Sequence, residues 1–154
     1  MGRTRAVLVM VVTFVIGSTT AGGAATGAPP TAGPTGSSAP GSAASATVAV
    51  QLIEGKVTPQ PATAPAGPMT FAINNIGMNV HEFVVIKTEL DASALPVSDG
   101  VVDESGLDVV GQVENIALRA TPTLPVDLAP GHYALICNIK DHYGAGMHAD
   151  FEAT

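Results

Sequence analysis

Near the C-terminus the chain reads Cys137-Asn-Ile-Lys-Asp-His142-Tyr-Gly-Ala-Gly-Met147, a thiol, an imidazole and a thioether at regular five-residue intervals. A second imidazole, His81, stands far earlier in the chain. Two imidazoles, one thiolate and a weak thioether are the donor set of a mononuclear type 1 copper site, whose chemistry is the transfer of one electron. Each donor type has a reason. The soft sulfurs suit Cu(I), and the imidazoles remain acceptable to Cu(II), so neither oxidation state is strongly rejected.

Rival readings of the same residues are weaker. A free cysteine is often a small buried hydrophobe, but that leaves a histidine and a methionine at ligand spacing unexplained. A cysteine–histidine pair could act as a nucleophile, yet here the cysteine ends a strand, and the methionine again has no part. Structural zinc takes four strong donors, and a thioether is a poor one. A binuclear copper centre needs two cysteines where one is present, and the chain's four histidines are too few for the further copper sites of oxidases. Catalysis is therefore not expected.

The elements that must position these donors read as strands. Thr47–Ile53 alternates with Val48, Val50 and Leu52 on one side, and Met69–Asn74 places Met69, Phe71 and Ile73 together. Glu82–Lys87 is a continuous apolar run, the pattern of a strand buried on both faces. Thr123–Leu128 alternates again, His132–Cys137 is a strand, and Ala149–Ala153 a short closing one. Pro59, Pro61, Pro65 and Pro68 mark a loop or an edge. Leu90–Glu114, with six acidic residues, is expected to be a surface excursion with little regular structure; Asp91 could cap a helical turn that Pro96 stops. Short strands between Gly and Pro turns, without a long amphipathic helix or a repeat, predict an all-β sandwich or barrel.

For Cys137, His142 and Met147 to converge, their loop must curl, which Gly144 and Gly146 permit. His81 then approaches from a neighbouring strand. Tyr133 and Leu135 share the parity of Cys137 and should point inward, while His132 has the opposite parity and should lie at the surface. His148 should point away from the donors, and Met78 is expected at a loop rim.

Residues 1–25 have the layout of a secretory signal peptide or anchor: two arginines among the first five residues, a 12-residue uncharged and mostly apolar run over 6–17, then small residues. Twelve residues fall short of the roughly 20 a bilayer span needs. Residues 26–46 continue a tract of only Ala, Gly, Thr, Pro and Ser, expected to be a disordered linker. An uncleaved N-terminus would make it a membrane tether. Export implies an extracytoplasmic place (periplasmic, secreted or tethered to the cell surface), where an unpaired Cys137 calls for an explanation that metal ligation supplies. The domain itself is assigned to 47–154. It holds all thirteen acidic side chains against four basic ones, a formal charge of −9, which argues against nucleic acid and anionic membranes and favours a basic partner or simple solubility.

Two stretches carry a family resemblance: Asn74-Asn-Ile-Gly-Met-Asn-Val-His81-Glu-Phe-Val-Val, and Pro130-Gly-His-Tyr-Ala-Leu-Ile-Cys137 through Met147. They resemble the cupredoxins, in which an early histidine follows an Asn/Gly-containing loop and a Cys–His–Met cluster lies near the C-terminus. The four-and-four spacing is similar to that of longer-loop, rusticyanin-like members. The resemblance implies a Greek-key β-sandwich with copper near one end. It also implies His81, Cys137 and His142 as close ligands and Met147 as a long axial one. It further implies an electron carrier that exchanges electrons with redox partner proteins through His142, the histidine near the surface in relatives. The chain is expected to be a monomer, and the uncharged residues that flank the ligand loops, Ile76, Gly77, Met78, Tyr143 and Ala145, are expected to form the docking patch. The sequence departs from the pattern at Lys140-Asp141, where relatives often have Pro-Gly, and at Glu82, where a small amide is common. Such a carboxylate could bond across to the Cys137 loop or lower the reduction potential. The other classes open at this point are a copper storage or delivery module and a secreted structural domain with a dead site.

Overall fold

The structure, a computed structural model, describes residues 45–154; the expected signal segment and nearly all of the linker lie outside the described residues. Eleven strands follow in chain order: β1 (Ala46–Ile53), β2 (Lys56–Gln60), β3 (Thr63–Ala64), β4 (Gly67–Asn75), β5 (His81–Lys87), β6 (Val97–Ser98), β7 (Val101–Val102), β8 (Asp108–Ile116), β9 (Thr123–Leu128), β10 (Gly131–Ile136) and β11 (His148–Ala153). They form a two-sheet sandwich. One sheet has the order β2-β1-β4-β9, the other β3-β11-β10-β5-β8, and β6-β7 make a separate small hairpin. β1 runs parallel to β4, while β5, β8, β10 and β11 are mutually antiparallel where they pair. Pro59 sits in the edge strand β2, where a missing ladder donor is tolerated.

The alternation read from the sequence is the alternation of burial. Val48, Val50 and Leu52 of β1 meet Met69, Phe71 and Ile73 of β4 and, from the facing sheet, Phe83, Val85, Tyr133, Leu135 and Phe151. Phe71 bridges the sheets, edge-on to both Phe83 and Phe151 with ring centroids 5.4 Å apart in each case, a preferred aromatic geometry.

The continuous apolar run in β5 has its reason in a second core. Phe83 and Val85 face the sandwich interior. Val84 and Ile86 face outward, where Ala92, Leu95 and Val102 cover them together with Ala134, Ile136 and Tyr143. The segment after β5 is therefore a lid on the outer face of the five-stranded sheet, not a mere surface excursion. No helix forms at Asp91; Ala94 N–H closes a single turn on the Asp91 carbonyl. A 3-10 turn follows instead at Glu104–Gly106, capped by Asp103. The expectation of little regular structure fails most clearly at β8, a nine-residue strand paired along β5 with two register shifts. Such bulges break strict alternation, and the valines of β8 are only half-buried, with Ile116 at its end in the core, so its pattern is faint in the sequence.

Candidate metal centre

β5 and β10 are antiparallel neighbours, and β10 and β11 form a hairpin. The start of β5 and the loop between β10 and β11 thus lie at the same end of one sheet. His81 is the first residue of β5, and Cys137 immediately follows β10. The connection from β10 to β11 is closed at its base by Cys137 N–H donating to the Met147 carbonyl at 3.0 Å. Inside it, His142 N–H donates to Ile139 O, Ala145 N–H to Asp141 O and Met147 N–H to His142 O, at 2.9–3.2 Å. The curl needs left-handed backbone at Asp141 (φ 68°) and Gly146 (φ 106°). Of the two glycines expected to permit it, Gly146 is the one the geometry requires. A Cβ there would lie 2.8 Å from the Gly55 carbonyl in the β1–β2 turn, whereas Gly144 has no positive φ and no tight neighbour.

Three predicted donors meet. His81 Nδ1 and His142 Nδ1 are 3.4 Å apart, Cys137 Sγ is 3.4 Å from His142 Nδ1, and Sγ is 3.9 Å from His81 Nδ1. A point equidistant from the three lies about 2.1 Å from each, the circumradius of that triangle. Bonds from a first-row metal to imidazole nitrogen and thiolate sulfur run to roughly 2.0–2.3 Å, taking zinc as the yardstick. At most one proton can sit between any two of these atoms, so lone pairs are left facing a common centre. The residues fit a metal ion. Met147, fully buried, shares the main core with Cys137 and lines a cavity of about 300 Å³ with His142, Glu54 and Asp141.

The electrostatics favour neutral imidazole and a shielded sulfur. Burial, then the neighbouring His142, holds the His81 pKa below its ordinary value, against the opposing pull of Glu54. Burial pushes the Cys137 thiol up, although the Glu82 backbone N–H donates to Sγ at 3.3 Å. It is this backbone group of Glu82 that reaches the cysteine. Its half-buried carboxyl is raised by burial and by Glu104 and Glu114.

Two residues of the expected docking patch are placed otherwise. Tyr143 is buried in the second core, its hydroxyl accepting from Leu95 N–H (3.0 Å) and donating to Ala92 O (2.8 Å). Gly77 is also buried, and a Cβ on it would lie 2.8 Å from both His81 Nε2 and a Glu54 carboxylate oxygen. Ile76, Met78 and Ala145 are exposed, Met78 at 82%. His132 is half-buried, its ring bonded to Thr88 O and Asp150. His148 is not among the converging donors and lies against Tyr143 with ring centroids 5.2 Å apart.

Three supporting residues escaped the sequence reading. Asn75 is fully buried and makes four bonds: Nδ2 donates to Asn79 O, Ile116 O and Ala117 O, and Oδ1 accepts from Gly77 N–H. It thereby fixes the loop that delivers His81. Asn138, next to Cys137, accepts from Val102 N–H and donates to Val102 O and Glu104, tying the donor loop to β7. Glu54, in the β1–β2 turn, accepts from the N–H groups of Met78 (2.6 Å) and Asn79 (2.8 Å). The Asn74-Asn75 pair before a Gly turn was a usable signal for the first; nothing local marked the other two.

No family model matches the chain, and no curated protein does. Solved structures do. The dithionite-reduced auracyanin of Roseiflexus castenholzii aligns with a TM-score of 0.55 and 19% identity, covering 71% of this chain and 98% of that one. The azurin Az-iso2 of Methylomonas sp. strain J gives 0.53 and 14%, covering 72% and 99%. Reduced rusticyanin gives 0.50 and 17%, covering 70% and 78%. At such identities the likeness is one of fold, and together with the two-sheet topology it shows that this chain has the cupredoxin fold.

Proposed function

We propose that the protein is an exported one-electron carrier with a single type 1 copper ion held by His81, Cys137 and His142, and by Met147 as a weaker fourth donor. The observation that carries this is the convergence of two imidazole nitrogens and one sulfur on a point at metal–ligand distance. Copper, when bound, supplies the Cu(I)/Cu(II) couple. The chain's own contribution is to hold the donors still. His81, Cys137 and Met147 are buried to within 1% of completely, which shields these three donors from bulk water. Asn75, Asn138 and the loop hydrogen bonds leave little room for rearrangement when the charge changes.

His142 is the one member of the four that is not fully buried, so it offers a partner the shortest approach. The cavity beside it is bordered by Asn79, in the loop that also exposes Ile76, Met78 and Val80. These apolar side chains with Ala145 form the docking surface in this proposal, in place of the patch that included Gly77 and Tyr143. The burial of three donors also favours a carrier over a delivery module, which must surrender its ion. Export is supported by the basic head and apolar run of residues 1–17.

Adding Cu(II) to the purified protein should produce an intense visible charge-transfer band that bleaches reversibly with a reductant and is missing in Cys137→Ser. Absence of the band in the unaltered protein, or its survival in the variant, overturns the reading. Ready loss of Cu(I) to another apoprotein would replace the carrier with the delivery module.

A further inference from the structure

His81 presents Nδ1 to the donor cluster and Nε2 to its back. Among the described residues, Nε2 is the one buried side-chain nitrogen or oxygen without a hydrogen-bond partner. The nearest acidic oxygen is Glu54 Oε1, at 3.7 Å. That oxygen is held in place from the other side by the N–H groups of Met78 and Asn79, so its position does not depend on the histidine. Gly77 borders the gap between carboxylate and imidazole, and a Cβ on it would lie 2.8 Å from both.

We infer that Glu54 is the positioning residue for His81: its carboxylate faces the Nε2–H edge, holds the proton there, and so leaves Nδ1 unprotonated toward the metal. This rests on the copper reading for its consequence but not for its geometry. A neutral imidazole carries one proton, and the nitrogen without it is the one that can ligate. The separation from Glu54 Oε1 is beyond a formal hydrogen bond, yet a carboxylate next to an otherwise dry N–H sets the preference. A carboxylate behind a ligating histidine also makes the ring a stronger donor, which favours Cu(II) over Cu(I). The site thereby takes its second-sphere partner from the other sheet, through the turn Glu54-Gly55.

The test is Glu54→Gln, which keeps an oxygen for the Met78 and Asn79 amides, removes the charge and puts an amide NH2 in place of the second oxygen. In the full chain without metal, the ring nitrogen shifts of His81 in 15N NMR should report the Nε2–H form, and Glu54→Gln should reduce the Nε2–H to Nδ1–H ratio at least threefold. Gly77→Ala, which forces the two groups apart, should move the ratio the same way. An unchanged ratio in Glu54→Gln overturns the proposal whether or not the protein binds copper. With copper bound, Glu54→Gln should shift the one-electron equilibrium toward Cu(I) by about threefold, roughly 30 mV at 59 mV per decade, with the charge-transfer band retained. An unchanged potential would overturn the role in tuning. Failure of the unaltered protein to give that band refutes the copper reading instead, and leaves the tautomer measurement standing.

Discussion

Asn75 shows how much a single uncharged side chain can organise. It donates to three carbonyls, in the loop before His81 and at the end of β8, and accepts from one amide, while buried to 0% exposure. Asn75→Ala would leave several of these groups unpartnered in a dry interior, at about 1–3 kcal/mol for each that water cannot reach. A loss near ~3 kcal/mol in urea unfolding is the expected outcome, with copper affinity falling as the His81 loop loosens. A second residue-scale prediction concerns His132, far from the donors. Burial works against its charged form, but the Thr88 carbonyl, Asp150 and Glu152 outweigh that and raise its pKa. A raised folded pKa means that the stabilisation is complete below the ordinary histidine value of about 6.5 and disappears as pH rises through the folded value. Asp150→Asn, which keeps the oxygen that accepts from Ala92 N–H, should therefore cost more stability at pH 5.5 than at pH 8.5. Asp150 is well exposed, so the difference should stay under about 1 kcal/mol; equal costs at the two pH values would refute it.

At the scale of elements, the donor loop is clamped on two sides. The β1–β2 turn presses on it through Gly55 against Ala145 and Gly146. The lid segment holds it through Asn138 to Val102, through Gly100 O to Asp141 N–H, and through the Tyr143 hydroxyl. Removing that hydroxyl in Tyr143→Phe strands the Leu95 N–H and Ala92 O, both buried. The expected cost is about 2 kcal/mol in denaturant. The charge-transfer band should keep its position, because the hydroxyl faces the second core and not the donors. A moved band would mean that the lid shapes the centre itself.

Across the whole molecule, the dominant features are a formal charge of −9 on the domain and exposed apolar side chains at one end. Ile76, Met78 and Val80 lie close along the loop before His81. A partner approaching His142 across this loop would bury apolar area while the remaining acidic surface steers a basic molecule from a distance. Electron self-exchange between oxidised and reduced copies, read from NMR line widths, tests the patch without any knowledge of the physiological partner. Met78→Glu should slow it at least tenfold with the copper band unchanged, and an unaffected rate would move docking elsewhere. Alteration of Gly77 would not be a clean test of docking, since a side chain there also disturbs His81 and Glu54.

Much of this was legible in the linear chain. The donors Cys137, His142 and Met147 are local to one another, and their even spacing with Gly146 is a short-range statement. Strand alternation in β1, β4 and β9 is likewise local, since burial of one face is written every second residue. The run in β5 announced burial on both faces without saying what lay on the second one. What covers it, the Ala92–Val102 lid with Tyr143, depends on contacts between segments far apart in the chain. The same holds at the centre. Sequence spacing says that His81 can reach Cys137, but only the assembled sheets decide that both histidines present Nδ1. They alone bring Glu54, from a turn that precedes the whole of β2, β3 and β4, behind His81, and they close Gly77 and Tyr143 off from solvent. Short-range patterns record which face of an element is apolar; which partner meets that face is set by the joint packing of two sheets, and no single segment encodes it.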